Sequence, residues 1–363
     1  MDIKTSRIIF TLAFVALAIY VVMTVMELHH YAGWLLVSFF ILVAIGLRGF
    51  PLLKGYSYPM VIFAAVSSAM YYPQYFLTLG GVDLKVLITP LLQIIMFGMG
   101  TTLSLWDFAR VIKMPKGVIV GIICQFTIMP FVGWSVAQLF SFPKEIAAGI
   151  ILIGSCPSGL ASNVMSYLAK ANLALSITLT AVATIMAPVM TPFYMKVLGG
   201  EFIDISYLKM MWDITKVVII PIGAGLLFHH LLQSRFKILD TIMPMVSMAG
   251  IALILVIIIA RGRDELIEVG LLLVVAVFIH NMLGYLLGYS ASKMLRMPEQ
   301  DCRTIALEVG MQNGGLATSI ATDTLGKAGT VGLAPAIFGS LMNITGSTLA
   351  LWWRGRKIPG EEN

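Results

Sequence analysis

Charge is scarce in this sequence. Only 12% of its 363 residues are Asp, Glu, Lys or Arg, about half of the roughly 25% in an ordinary soluble domain. In their place 59% are hydrophobic, with a mean hydropathy of +0.93. The scarcity excludes a water-soluble fold. Cysteine is scarcer still: Cys124, Cys156 and Cys302 are odd in number, lie in or beside apolar stretches, and lack metal-ligand spacing. That argues against both a disulfide framework and a zinc site. Missing too are a phosphate-binding glycine loop, a nucleophile elbow and any connector longer than about 15 residues. Whatever the chain does must therefore happen within the bilayer. The net charge of +6 is scattered through short loops instead of forming one basic face, so no nucleic-acid partner is expected.

What the sequence has instead is a succession of apolar segments of about 20 residues. They can be drawn at about 7 to 26, 33 to 50, 57 to 78, 87 to 106, 117 to 140, 146 to 169, 173 to 197, 209 to 232, 240 to 260, 266 to 292, 301 to 323 and 330 to 353. Each is long enough to cross a hydrocarbon core of roughly 30 Å. Unpaired backbone groups are too costly in lipid, so spans must be helices or a closed barrel, and these runs lack the alternation of barrel strands. The reading is an all-α polytopic membrane protein of about twelve spans. One side of this segmentation collects Lys and Arg over the other by about two to one, Lys54, Arg110, Lys113 and Arg303 among them, which places both termini in the cytoplasm. The first span ends at Glu27-Leu28-His29-His30 without a small-residue cleavage site and is expected to stay in the protein.

Ionisable groups at bilayer depth cost roughly 3 kcal/mol or more and are functional candidates. Four places stand out. Gln125 lies mid-span, five residues before Pro130. Gly154-Ser-Cys-Pro-Ser-Gly-Leu-Ala-Ser-Asn163 puts helix breakers inside a span, and Glu308-Val-Gly-Met-Gln-Asn-Gly-Gly315 does so again about 150 residues later. Asp213 and Lys216 are three apart and can pair on one helical face. Each has a structural reading: Gly and Pro serve packing, Gln125 can be interhelical glue, and Asp213–Lys216 and His280-Asn281 suit local pairing and packing. The two interrupted segments weigh more together. Counting from the span at 57, they are the fourth span of each of two five-span halves, which must insert in opposite senses. Paired interruptions of this kind mark the substrate and ion site of a secondary transporter, with half-helix N-termini facing an anion and oxygen ligands facing a cation. Ser162, Asn163, Glu308, Gln312 and Gln125, with Ser176 and Thr180 one helical turn apart, form a plausible hard-cation set.

Phe97-Gly-Met-Gly100, Gln125-Phe-Thr-Ile-Met-Pro130, Cys156-Pro-Ser-Gly-Leu-Ala-Ser-Asn-Val-Met165, Glu308-Val-Gly-Met-Gln-Asn313 and Asn343-Ile-Thr-Gly-Ser347 resemble the bile acid:sodium symporter family, particularly its bacterial members, over about residues 57 to 353. The resemblance implies ten helices in two inverted five-helix repeats, divided into a panel and a core where two broken helices cross. It further implies a first sodium site of Ser162, Asn163, Ser176, Thr180 and Glu308, and a second of Gln125, Gln312 and Glu308 with backbone carbonyls near Val309 and Met311. Substrate would lie between core and panel, facing Asn313 and the backbone at Leu160 and Ala161. Where bacterial relatives usually read Pro-Gly-Gly-Thr-Ala-Ser-Asn, this chain has Pro157-Ser-Gly-Leu-Ala-Ser-Asn163; Leu160 replaces a hydroxyl, so the preferred substrate can differ.

The expected organisation is two extra N-terminal spans over 1–55, a transporter domain over 56–353 with repeats at about 56–200 and 205–353, and a short cytoplasmic tail over 354–363. The expected function is sodium-coupled symport of a small organic anion, bile acid-like, pantoate or keto-acid in type, across a bacterial inner membrane. A proton-coupled carrier of the same fold and a non-transporting sensor are the alternatives; an intramembrane enzyme lacks a nucleophile with a nearby base. The partners expected are the anion, Na+ and lipid. Oligomeric state is not legible.

Overall fold

A computed structural model describes residues 2–50, 53–232, 239–356 and 358. The connector bearing Arg235 and Lys237, Lys357, and the tail from 359 onward lie outside the described residues. The elements in chain order are α1 (Ile3–Val25), α2 (His29–Leu47), α3 (Ser57–Tyr71), α4 (Gln74–Leu77), a small hairpin of β1 (Thr78–Leu79) and β2 (Val82–Asp83), α5 (Ile88–Thr102), α6 (Leu105–Lys113), α7 (Pro115–Phe140), α8 (Lys144–Ser155), α9 (Ala161–Leu168), α10 (Leu173–Tyr194), α11 (Tyr207–Ile214), α12 (Ile220–Leu232), α13 (Leu239–Arg261), α14 (Arg263–Met294), α15 (Glu299–Gly310), α16 (Gly314–Ser319) and α17 (Leu333–Arg354). Among the described residues, seven helical runs are long and apolar enough to cross a membrane, by length and composition. The protein is thus an all-α polytopic membrane protein, and the twelve expected segments each contain helix.

The first two helices pack on each other, and α2 packs on α3. Tyr20 and Tyr71 share a hydrogen bond at 2.9 Å, and Trp34 stacks on Tyr72. Most of the outward surface of α1 is exposed and apolar, as a lipid-facing helix requires. From α3 onward the helices sort into two packing groups. In the first, α5 packs on α12 and α13, and α13 on α3; in the second, α7, α8, α14 and α15 pack together with α9, α10, α16 and α17 around them.

Small residues set these approaches. A Cβ on Gly100 would stand 2.2 Å from the Ile222 carbonyl oxygen, and one on Gly225 would stand 2.2 Å from that of Phe97. The Phe97-Gly-Met-Gly100 motif is therefore the place where α5 and α12 touch backbone to backbone, as helices in lipid do when small residues line their contact.

Both expected discontinuities are present: α8 stops at Ser155 before Pro157, and α15 stops at Gly310. The linkers they release cross and bond to each other. Ser158 and Gln312 form an isolated antiparallel bridge, the Gly159 N–H donates to the Met311 carbonyl at 3.1 Å, and the Asn313 N–H donates to the Pro157 carbonyl at 2.8 Å. Backbone freed from helix at bilayer depth must find a partner in protein, and here each linker supplies the other's. Pro130, by contrast, sits inside an unbroken α7.

At the hairpin end the two groups are tied together. Thr89 donates to Asp323, Thr324 donates to Asp213 at 3.3 Å, and Arg263 Nε donates to the Met70 carbonyl at 2.7 Å. Ion pairs Arg261–Asp83 and Lys327–Glu145 flank these links. Burial alone would push the Asp83 carboxyl up, but the Lys85 N–H and the Arg261 guanidinium outweigh it and hold the group below the usual carboxylate range. A depressed carboxyl stabilises the fold above its unfolded pKa and loses that contribution as pH falls through the folded one, so acid weakens this end. Asp213 and Lys216 pair at 2.8 Å, as their spacing suggested.

Candidate ion and solute site

The crossing brings the predicted residues together. Glu308, on the last turn of α15, is 2% exposed, and its two carboxylate oxygens accept from four hydroxyls: Ser158 at 2.6 Å, Ser162 at 2.6 Å, Ser176 at 2.5 Å and Thr180 at 2.9 Å. Ser162 belongs to α9, and Ser176 and Thr180 present one face of α10. Ser176 and Thr180 also approach Asn163 Oδ1, at 2.8 and 3.2 Å. The hydroxyls of Ser162, Ser176 and Thr180 each have one proton but face more than one acceptor oxygen. Such a surplus of oxygen over protons is the chemistry a hard cation resolves.

The other predicted ligands adjoin this cage. Gln125 on α7 donates through Nε2 to the Cys156 carbonyl at 3.0 Å and to Gln312 Oε1 at 2.8 Å, and Gln312 Nε2 donates to the Val309 carbonyl at 2.6 Å. Gln125 Oε1 is buried with no hydrogen-bond partner. A buried, unpaired amide oxygen costs roughly 1–3 kcal/mol, and it is a ready ligand for a cation. The Met311 carbonyl, which accepts from Gly159, retains a second lone pair. Among the described residues no group of three His, Cys, Asp or Glu side chains is placed to suit a transition metal. The set is oxygen throughout.

A cavity of about 600 Å³ lies against the crossing, between the two packing groups. One wall carries Ile95, Met96, Met243 and Ile251, and the other carries Leu160, Ala161, Asn313, Pro335 and Met342. Asn163 and Gln312 face it too, so ion cage and cavity share residues. Leu160 is the N-cap of α9 and makes no side-chain cap bond; the Ser162 and Asn163 N–H groups donate to the Gly159 and Leu160 carbonyls at 3.0 and 3.2 Å, which leaves those of Leu160 and Ala161 at the cavity wall uncapped. Asn313 Oδ1 accepts from the Leu316 N–H at 3.0 Å and caps α16.

Two residues escaped the sequence reading. Ser158 replaces a glycine of the usual bacterial motif, and the signal lies in the same seven residues, 157 to 163, that expose Leu160. Ser158→Gly deletes one of the four donors to Glu308 and is expected to lower the stability by about 2 kcal/mol, read as a fall in melting temperature. Lys54, in the sequence only a loop charge that bears on topology, is the sole charged side chain among the described residues that line the cavity.

The sodium bile acid symporter family matches this chain over residues 89–269. The "Uncharacterized sodium-dependent transporter YocS" of Bacillus subtilis is 41% identical over 266 residues, which are 73% of this chain and 82% of that protein. The "Probable sodium/metabolite cotransporter BASS1, chloroplastic" of Arabidopsis thaliana is 34% identical over 263 residues, 72% of this chain and 65% of the relative. The "Ileal sodium/bile acid cotransporter" of Homo sapiens is 31% identical over 247 residues, 66% and 70% of the two chains. These relatives are transporters, not enzymes. With its crossed helices and caged carboxylate, the chain belongs to the sodium bile acid symporter family.

Proposed function

We propose that this protein is a sodium-coupled secondary active symporter of a small organic anion, working by alternating access. The observation that carries the reading is the Glu308 cage: a carboxylate at the helix crossing, surrounded by hydroxyl and amide oxygens and sharing Asn163 and Gln312 with the cavity wall. The names of the relatives support sodium as the coupling ion. One sodium ion would take Ser162, Asn163, Ser176, Thr180 and Glu308; a second would take Gln125, Gln312, Glu308 and the Val309 and Met311 carbonyls. Glu308 supplies charge to both, so the empty site holds an anion at bilayer depth compensated only by neutral hydroxyls, which disfavours moving the unloaded core. A proton carrier would also use a buried carboxyl, but four hydroxyl donors suit a carboxylate, which only accepts, better than an acid that must also donate.

The anion would lie in the cavity, its charge toward the uncapped N–H groups at Leu160 and Ala161 and toward Asn313, its apolar body against the aliphatic walls. Residues 56–353 form the transporting unit in this reading, and residues 1–55 are an appendage to it. Both termini face the cytoplasm of a bacterial inner membrane; Lys54 then marks the cytoplasmic side, and the bonds around Asp83, Asp213 and Asp323 close the outer one.

Lys54→Ala is expected to raise the half-saturating anion concentration several-fold, less so in high salt, while sodium half-saturation stays as in the parent protein. A thermal-shift screen of a bile acid, pantoate and a 2-keto acid, with sodium or choline as the cation, tests the whole reading. Stabilisation by at least one anion in sodium alone is expected, since a ligand stabilises the state it binds. Equal stabilisation in choline would refute sodium coupling.

A further inference from the structure

The two broken helices end in the same way, and only one of the two endings uses residues assigned to the ion site. At the end of α8, the Cys156 carbonyl accepts from Gln125 on α7 at 3.0 Å, and the Ser155 carbonyl accepts from Thr191 on α10 at 2.8 Å. At the end of α15, the Gly310 carbonyl accepts from Asn281 Nδ2 on α14 at 2.7 Å. Asn281 Oδ1 in turn accepts from Thr345 Oγ1 on α17 at 2.6 Å, and the Tyr285 hydroxyl lies 3.3 Å from the same Thr345 oxygen. Counted from α3, α7 and α14 are the third spans of their halves, and α10 and α17 are the fifth. Asn281 and Thr345 thus lie on the spans of the second half that correspond to those of Gln125 and Thr191 in the first, and Asn281 does for the end of α15 what Thr191 does for the end of α8, donating to the carbonyl of its last residue. Asn281 is fully buried, and both ends of its amide are committed.

We infer that Asn281, braced by Thr345, is a positioning residue for the second sodium site: it fixes the carbonyl end of α15 and thereby the aim of the Val309 and Met311 carbonyls and of Glu308. This rests on the sodium reading above. The amide does two things that no apolar side chain of its size could do. Nδ2 satisfies a carbonyl that has lost its helical partner, and Oδ1 is held by Thr345, which fixes the amide in the orientation that presents Nδ2 to Gly310. The carbonyls concerned lie one residue to either side of the fixed one. Groups that orient the ligands of a metal without touching it typically change its affinity by about 10- to 100-fold when removed. Adjacent packing makes the amide the remaining adjustable element, because Gly284 on α14 already brings the two helices to backbone contact at Gly310.

The test is a sodium titration of thermal stability on the purified full chain, with choline chloride holding ionic strength constant. Asn281→Ala is expected to need about tenfold more sodium for half its maximal stabilisation, while its sodium-free melting stays cooperative. Thr345→Val, which keeps the shape and deletes the hydroxyl, should shift in the same direction by less, and Thr345→Ser should return to within about twofold of the parent, an outcome a purely steric role does not give. If the parent responds to sodium and Asn281→Ala responds at the same concentration, the inference fails and the sodium reading stands. If the parent itself shows no sodium-specific response, the sodium reading fails and takes the inference with it. Should Asn281→Ala not fold, Thr345→Val against Thr345→Ser decides by the same criterion: equal sodium half-saturation in the two overturns the inference.

Discussion

Glu308→Gln is expected to lower sodium-driven uptake by at least about 100-fold and to abolish stabilisation by sodium, while leaving the sodium-free protein as stable as the parent or more so. The magnitude follows from charge. The substitution keeps the size of the side chain and its ability to accept hydrogen bonds but removes the negative charge that two proposed cations share, a loss on the order of 3 kcal/mol for the pair, or about 100-fold. The direction of the stability effect follows from burial. In sodium-free protein the carboxylate is a charge at bilayer depth, compensated only by the hydroxyls of Ser158, Ser162, Ser176 and Thr180, and replacing a poorly compensated buried charge by a neutral group tends to stabilise. A role confined to packing would give the opposite pattern, with lower sodium-free melting and an unchanged sodium response. Uptake and melting measured on the same preparation separate the two.

Gly310→Ala should be among the most damaging single-methyl substitutions in the protein. An added Cβ would stand 2.1 Å from Tyr285 Cδ1 and 2.3 Å from Cε1. The ring cannot swing aside, since it is 5% exposed and its hydroxyl is tied to the Met342 carbonyl and Thr345. Overpacking of a rigid neighbour costs up to about 3 kcal/mol, against a helix-propensity gain of about 1 kcal/mol for alanine over glycine. A net loss of about 2 kcal/mol remains, read as a fall in melting temperature with loss of uptake. Combining Gly310→Ala with Tyr285→Leu should recover most of the stability. Parent-like melting of Gly310→Ala alone would contradict the packing described for α14 and α15.

The sequence made the spans legible because lipid imposes a simple rule of length and apolarity, and the twelve expected segments fall on observed helices. It also revealed the two interruptions, since Pro157 and the glycines around 310–315 break a helix whatever surrounds them. Boundaries were less legible. The third segment ends early, at Tyr71, where Tyr72-Pro73 turns the chain into α4 and the hairpin, and the amphipathic helix α6 was hidden between two longer apolar runs. The π-helical turns at Met195–Gly199, Thr215–Ile219 and Ile320–Thr324 had no sequence signal strong enough to read.

For the site, a polar residue within a span announces that it has a partner but not which one. Glu308 and Gln125 were singled out because a charge or amide at depth demands an explanation. In the sequence Asn281 and His280 both suit packing, yet the Asn281 amide faces the end of α15, whereas His280 hydrogen-bonds the Met129 carbonyl at 3.0 Å beside Pro130. Only the three-dimensional arrangement separates these two neighbours. Lys54 shows the converse. Its charge suggested membrane topology, and the fold adds a place at the cavity.

The most direct measurement is uptake into proteoliposomes of radiolabelled bile acid, pantoate and 2-keto acid, each driven by an inward gradient of sodium or of choline at the same membrane potential. Uptake of at least one anion with the sodium gradient, and none above background with choline, is the expected result. Uptake at the same rate in choline, or uptake driven by a pH gradient without sodium, would contradict sodium-coupled symport.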